Sequence, residues 1–319
     1  MKAGLLVVSF VLFCGVSFAQ DTPTQDDWLD QKHHDTRRWL GKTAHYIDDW
    51  FGKPNPDEPA RATVRVMLDV HDDKYNNTAI KPRIRAKIKL PTLEDRLNVL
   101  IGDDRLDNEQ GGGIHNDGRL HPEQEHTFDR QQSRRDNTSL ALRWSRFKDD
   151  VGIQTDIDLG LRSSDVYLRW RGEKRWTMKN TGGRFEQVYR YGTKSEHYAL
   201  STLEFDQPKS THRTLMNRTH VIYTNKDHQE DIGWSNSLYQ QHHWQIPLGT
   251  RSFSYGLYAG GDIADEHKSN FNTYGPYVSY RQPIWRKWLF IQGDVGYYNN
   301  KDDNKDHHIS TFGRLEMVF

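Results

Sequence analysis

In the stretch "IKPRIRAKIKL", Ile84, Ala86, Ile88 and Leu90 alternate with Arg83, Arg85, Lys87 and Lys89. A helix would spread those charges around its circumference. An extended strand instead sends successive side chains to opposite faces, so one face is apolar and the other cationic. Such a strand needs apolar surroundings on one side and polar ones on the other. "ATVRVMLDV" obeys the same rule, with Val64, Val66, Leu68 and Val70 on one face and Arg65, Met67 and Asp69 on the other. The alternation returns in "RLNVLIG", "SLALRW", "GIQTDIDLGL", "DVYLRW", "EQVYRY", "HYALSTLEF", "RTLMNRTHVIYT" and "DIGWSNSLY". It continues through "RSFSYGLYAGGDI", "TYGPYVSY", "WLFIQGDVGYY" and "HISTFGRLEMVF". That makes about fourteen strands, or about twelve if the segments around "RSSD" and "GEKRWTMKNTGG" are not strands. Most approach the ~9–11 residues that cross a bilayer when tilted.

Composition fits this pattern. Lys+Arg and Asp+Glu are both 44, so no global field points to nucleic acid. The mean hydropathy of −0.92 is very polar. Barrel strands, apolar outside and polar inside, average to such values and escape a search for membrane helices. The fold expected is all-β, an antiparallel transmembrane β-barrel of about 12–14 strands with a short N-terminal amphipathic helix.

The start "MKAGLLVVSFVLFCGVSFAQ" has a basic residue at Lys2, an apolar run from Leu5 to Val16, and Ser17-Phe18-Ala19 before Gln20. This is the layout of a cleavable secretory signal peptide over 1–19. The apolar run falls short of the ~20 residues that span a bilayer as a helix. Bulky Phe13 argues against lipoprotein processing at Cys14, the only cysteine in the sequence. Once Cys14 leaves with the signal, disulfides, thiolate metal sites and cysteine nucleophiles are excluded.

Residues 20–59 read as a periplasmic helix and linker. Trp39, Leu40, Ala44, Ile47, Trp50 and Phe51 recur at helical spacing, Asp26 and Asp27 suit the start, and Gly52 and Pro54 the stop. Packing on its own protein is favoured over a plug, an interfacial helix or a docking site for a periplasmic partner. The barrel itself is expected over 60–319. Compact turns such as "PTLED", "KDD", "DQPKS" and "RQPIWRK" are interleaved with longer ones such as "HDDKYNNTA", "DIADEHKSNFN" and "NNKDDNKDHH". The longest connection, near 103–137, is expected outside the cell, consistent with the asymmetry of outer-membrane barrels. Tyr191, Tyr223, Tyr274, Tyr280, Trp288 and Tyr297 stand at strand ends and fit interfacial girdles.

In "HISTFGRLEMVF", Ile309, Thr311, Gly313, Leu315, Met317 and Phe319 share one face, and Arg314 and Glu316 the other. This segment resembles the closing strand of Gram-negative outer-membrane β-barrels, with a terminal aromatic preceded by apolar residues at alternate positions. Gly313 and Thr311 depart from that pattern. The resemblance implies that Phe319, Met317 and Leu315 are read by the barrel assembly machinery, and that outer-membrane lipid and lipopolysaccharide surround the barrel. Three stretches, "WFGKPNPDEPARATVRVMLDV", "IKPRIRAKIKLPTLEDRLNVLIGDD" and "YGPYVSYRQPIWRKWLFIQG", resemble an uncharacterised group of proteobacterial outer-membrane proteins. That resemblance implies fold and an outer-membrane location, and no activity.

The alternation rule points Arg65, Arg83, Arg85, Lys87, Lys89, Arg143, Asp156, Asp158, Arg169 and Arg171 into the lumen. If the lumen is open, these are pore-lining, with a transverse field between basic and acidic sides and a weak anion preference. The leading function is a porin-like channel for small polar or anionic solutes. The alternatives are a structural or partner-binding barrel whose inward charges pair and close it, or a hydrolase at the barrel rim. No enzyme is expected, because no nucleophile and base stand together. His197 and Ser201 lie two strand repeats apart. The paired histidines of "HHDTRR" and "QQHHWQ" diverge, and His115, His121 and His126 read as a solvated loop. Gly111–Gly113 lack the context of a phosphate loop. No cofactor and no metal are expected.

Overall fold

The computed structural model describes residues 28–50, 59–75, 78–91, 97–102, 139–146, 152–162, 165–226, 229–263, 270–301 and 304–319. Helix α1 (Trp28–Asp49) precedes β1 (Arg61–Asp73), β2 (Ala79–Leu90), β3 (Leu97–Gly102), β4 (Ser139–Arg146) and β5 (Ile153–Arg162). Then follow β6 (Asp165–Met178), β7 (Thr181–Gly192), β8 (Glu196–Ser210), β9 (Arg213–Lys226) and β10 (Gln229–Ile246). The last four are β11 (Gly249–Asp262), β12 (Thr273–Pro283), β13 (Leu289–Asn300) and β14 (Lys305–Val318).

Every strand pairs antiparallel with its sequence neighbour, and β14 returns to β1, so the sheet closes as a barrel. The fourteen alternating segments of the sequence are its fourteen strands. Closure matters energetically, because an open edge would leave a row of backbone N–H and C=O groups without partners. The seam runs from Arg65 opposite Val318 to Asp73 opposite Ser310. Beyond it, Val64 and Phe319 exchange backbone hydrogen bonds of 3.2 and 2.8 Å, so pairing continues to the last residue.

Several strands are longer than their alternation suggested. "GEKRWTM" belongs to β6, and "DQPKS", expected as a turn, completes β8. Pro208 cannot donate to a ladder, and the β8–β9 register shifts between Pro208 and Ser210. The proline is carried at that irregularity, where no donor is needed.

The chain ends define one rim, where β1 begins and β14 finishes. The connections there include the two-residue turns 179–180, 211–212 and 247–248. β3 and β11 end, and β4 and β12 begin, at the opposite rim. Residues 103–138, with His115, His121 and His126, lie outside the described residues, as do Phe51 and the segment 1–27.

Burial sorts the two faces. Asp158 is 1% exposed and its neighbour Leu159 57%. The same contrast separates Asp69 from Leu68, Arg83 from Ile84, and Arg143 from Leu142. Polar side chains are buried on the inner face, while Ile101, Leu168, Leu238, Leu257 and Val278 are exposed on the outer one. Tyr191, Tyr274 and Tyr297 join this outer surface near the rim of the long connection.

Within α1, Thr36 donates to the Lys32 carbonyl at 2.8 Å, and Arg38 lies 3.8 Å from Asp35. The portion from Leu40 onward forms one compact unit with the barrel. Ala44 is fully buried there, with Ile47 beside it, against Ala60, Ala62, Ile88, Leu90, Leu97 and Val99. Packing on its own protein therefore describes this half of the helix. The expected apolar face divides, since Ala44 and Ile47 are covered whereas Trp50 is exposed.

Candidate functional site

Among the described residues, buried polar side chains gather on the inner face. Two arcs differ in character. On β1, β2, β4–β7 and β14 the inward positions are dominated by arginines and carboxylates. On β9–β14 they include Met216, Tyr239, Tyr258, Tyr277, Tyr298 and Phe312, which form one apolar cluster.

Three carboxylates each bridge two guanidinium groups. Asp158 on β5 accepts from Arg143 on β4, at 2.8 and 3.0 Å, and from Nε of Arg169 on β6, at 2.7 Å. Asp69 on β1 accepts from Arg314 on β14 through two bonds of 2.6 Å, and from Arg83 on β2 at 3.4 Å. Glu316 on β14 accepts from Arg65 on β1 and from Arg281 on β12, each at 2.6 Å. A bridging carboxylate offsets the cost of removing two cations from bulk water, and the fork of each guanidinium fixes the geometry.

A larger cluster spans β5–β7. Arg171 donates to Asp156 at 3.0 Å, Glu173 at 2.7 Å and Glu186 at 2.5 and 2.9 Å. Arg184 reaches Glu186 at 2.6 Å and Glu173 at 3.2 Å. Farther round, Arg218 on β9 donates to Glu204 on β8 at 2.6 Å.

Of the ten residues that alternation points inward, Arg143, Asp158 and Arg169 come together in one group, and Asp156 and Arg171 in the next. Arg65 and Arg83 belong to two further groups. Arg85 is buried and donates to the Gly102 carbonyl at 3.2 Å, where the Ser139 hydroxyl also donates. Lys87 and Lys89 sit near the chain-end rim of β2, Lys87 exposed. The expected separation of bases from acids across the lumen is replaced, in these groups, by carboxylates seated between bases. Neighbouring strands are only ~4.8 Å apart, so a guanidinium reaches the next strand far more easily than the far wall.

Asp69, Arg281, Arg314 and Glu316 were not singled out from the sequence. Their signal was present: Asp69, Arg314 and Glu316 stand on the polar faces of the first and last strands, and closure must bring those faces together. Glu173 escaped because the alternation around "GEKRWTMKNTGG" is ambiguous, and Arg184 directly follows that segment; Glu186 opens the strand "EQVYRY" and its polar face was not followed inward.

Two inward rings, one in each arc, also sit against glycines of the wall. Gly160 lies opposite Tyr167 in the register, and a Cβ at Gly160 would collide with that ring. Gly296 is covered in the same way by the ring of Tyr298. Each glycine leaves space on the inner surface that the ring occupies.

The residues considered for catalysis are tied elsewhere. His197 Nδ1 is 2.7 Å from the Tyr189 hydroxyl, and the Ser201 hydroxyl donates to Gln187 Oε1 at 2.6 Å. Thr202 and His220 are opposite one another on β8 and β9, 3.0 Å apart between hydroxyl and Nδ1. His220 Nε2 lacks the carboxylate that would orient a base. Among the described residues no group of three or more His, Cys, Asp or Glu could hold a metal ion.

A closed antiparallel barrel, apolar and exposed outside, polar and buried inside, inverts the arrangement of a water-soluble core. It defines the chain as a membrane-spanning β-barrel. No protein-family model matches the sequence, and no curated protein matches it. Among solved structures, the chain is similar to a bacterial polysaccharide outer membrane secretin, with TM-score 0.47 and 11% identity over 81% of this chain and 98% of the other. It is also similar to OmpT, an outer membrane protein of Vibrio cholerae (TM-score 0.46, 6% identity, 82% and 99% covered). A third is the outer membrane channel DcaP of Acinetobacter baumannii (TM-score 0.42, 8% identity, 84% and 99% covered).

Proposed function

We propose that this chain is a porin-like barrel of the Gram-negative outer membrane, a passive channel for small polar solutes that favours anions. The observation that carries this reading is the inner face of β1 and β2. Arg61, Arg65, Lys81, Arg83, Arg85, Lys87 and Lys89 share it with Asp69 and Asp73. A basic arc on one wall raises the local concentration of anions and lowers that of cations. At the chain-end rim the inward residues Arg61, Thr63 and Lys87 are exposed, so water meets this arc directly.

Two features favour an open centre over a sealed one. The ion pairs described above join strands that are adjacent or one strand apart, and the rings of Tyr167 and Tyr298 fill the space over Gly160 and Gly296. Both keep side chains along the wall. A fourteen-strand barrel is wide enough to enclose more than its own side chains, unlike one of about eight strands. On this reading the chain-end rim is periplasmic, the long connection is extracellular, and Leu315, Met317 and Phe319 present the strand read during assembly.

Single-channel recording in a planar bilayer under a salt gradient tests the proposal. Discrete steps with a reversal potential on the anion side support it. A folded barrel that never conducts, before or after removal of residues 20–58, overturns it in favour of a closed, partner-binding barrel.

A further inference from the structure

We infer that the second half of α1, Leu40–Asp49 with Trp50, is an interfacial element that lies against the outside of the barrel and binds phospholipid of the leaflet at the chain-end rim. It is not a plug.

The argument begins with an inversion of burial. Along most of β2 the inward residues are buried and the outward ones exposed: Arg83 and Arg85 against Ile80 and Ile84. Near the chain-end rim the order reverses. Ile88 and Leu90 are buried, Leu90 completely, while Lys87 is exposed. On β1, Thr63 is exposed and Ala62 is partly covered. The β1–β2 register runs without a shift from Arg61 opposite Lys89 to His71 opposite Ala79. No bulge has turned the strands over, so Ile88 and Leu90 still point outward.

What covers them is the helix, through Ala44 and Ile47, together with Ala62, Leu97 and Val99. All of these barrel residues have outward parity, and they continue the apolar surface of Leu68, Ile84 and Ile101. The helix therefore occupies a place on the surface that lipid covers elsewhere. A plug would bury inward positions, and those are the exposed ones.

The free side of the helix identifies its surroundings. Tyr46 is 62% exposed and Trp50 69%, and their rings meet edge to face at 5.2 Å. Lys42, His45 and Asp49 are exposed among them. Amphipathic aromatics beside charged groups suit the boundary between acyl chains and headgroups, where ring and polar tip are both satisfied. Continuity also favours lipid. On the strands, outward aromatics near this rim include Trp144, Trp176, Phe185 and Phe253. On β1–β3 the outward residues at the same end are Ala62, Val64, Ile88, Leu90, Leu97 and Val99, none of them aromatic. The helix supplies Tyr46 and Trp50 over that gap and completes the aromatic belt.

The test uses the full chain with Cys14→Ser, and a single nitroxide on Tyr46→Cys or on Thr63→Cys, in phosphatidylethanolamine–phosphatidylglycerol vesicles. At position 46, collisions with oxygen, which concentrates in lipid, should exceed those with a water-soluble nickel chelate. At position 63 the ratio should reverse. Equal nickel access at both positions would mean that the face is open to water or a protein partner. Exclusion of both reagents at position 46 would mean that it is buried in protein. Either result overturns the inference.

A second measurement needs no substitution. Phospholipid carrying a photoactivatable diazirine near its ester groups should label the peptide that contains Tyr46 and Trp50. Labelling of the Leu159 and Leu168 strands without that peptide would remove the helix from the leaflet. Labelling of neither would instead refute the membrane-spanning barrel on which the inference rests.

Discussion

Asp158 shows how much one side chain carries on the inner wall. It is nearly inaccessible to water and holds Arg143 and Arg169 on either side. Replacing it with Asn removes a negative charge and leaves two buried guanidiniums face to face. We expect Asp158→Asn to cost about 3 kcal/mol, read from urea unfolding in vesicles, at the lower end for a broken buried ion pair. The same variant should move the reversal potential further toward anions, because the wall has lost a negative charge. Gly160 is a second sensitive position, for steric reasons. A larger residue must displace the Tyr167 ring from its place on the wall, so Gly160→Val should cost about 1–3 kcal/mol in the same unfolding measurement. The Asp158 pairing could have been suspected from alternation on neighbouring strands. The Tyr167–Gly160 fit depends on register, which no single segment reveals.

At the scale of the element, the seam between β1 and β14 is the most demanding pairing in the fold. Its ion pairs join residues 245 and 251 positions apart, Asp69 with Arg314 and Arg65 with Glu316. Asp69 faces Arg314 directly, and Glu316, opposite Met67, accepts from Arg65 two residues along the same face, so each strand gives the other one acid and one base. A shift of one residue would send these charges to the lipid side and the apolar face into the lumen. The groups therefore select a register as well as closing the ring. Asp69→Arg should give a smaller yield of folded barrel, scored by the gel mobility of unheated samples. Adding Arg314→Asp should restore it, because the pair is rebuilt with reversed polarity. Recovery by the double variant would separate a charge-pairing role from a packing one. Helix α1 is the contrasting element. Its periodicity is plain in the sequence, yet its apolar residues divide between the barrel and the exterior in a way periodicity alone cannot assign.

For the whole molecule, the proposed channel makes a prediction about salt. Exposed charges at the mouth, such as Arg61 and Lys87, are screened over ~10 Å at 0.1 M and ~3 Å at 1 M. Anion preference should therefore weaken from 0.1 to 1 M salt, measured as the reversal potential at a constant concentration ratio. The local rule was legible before any coordinates: period-two alternation gave about twelve to fourteen strands with their apolar faces, and pointed ten charges inward, because side-chain direction along a strand depends only on neighbours in the chain. The closed ring, the partners of those charges and the place of the helix were decided by tertiary structure. A carboxylate's partner lies on another strand, and which strand lies opposite at which register follows from closure of all fourteen at once. Sequence determined which way each residue points, and the closed barrel determined what it meets there.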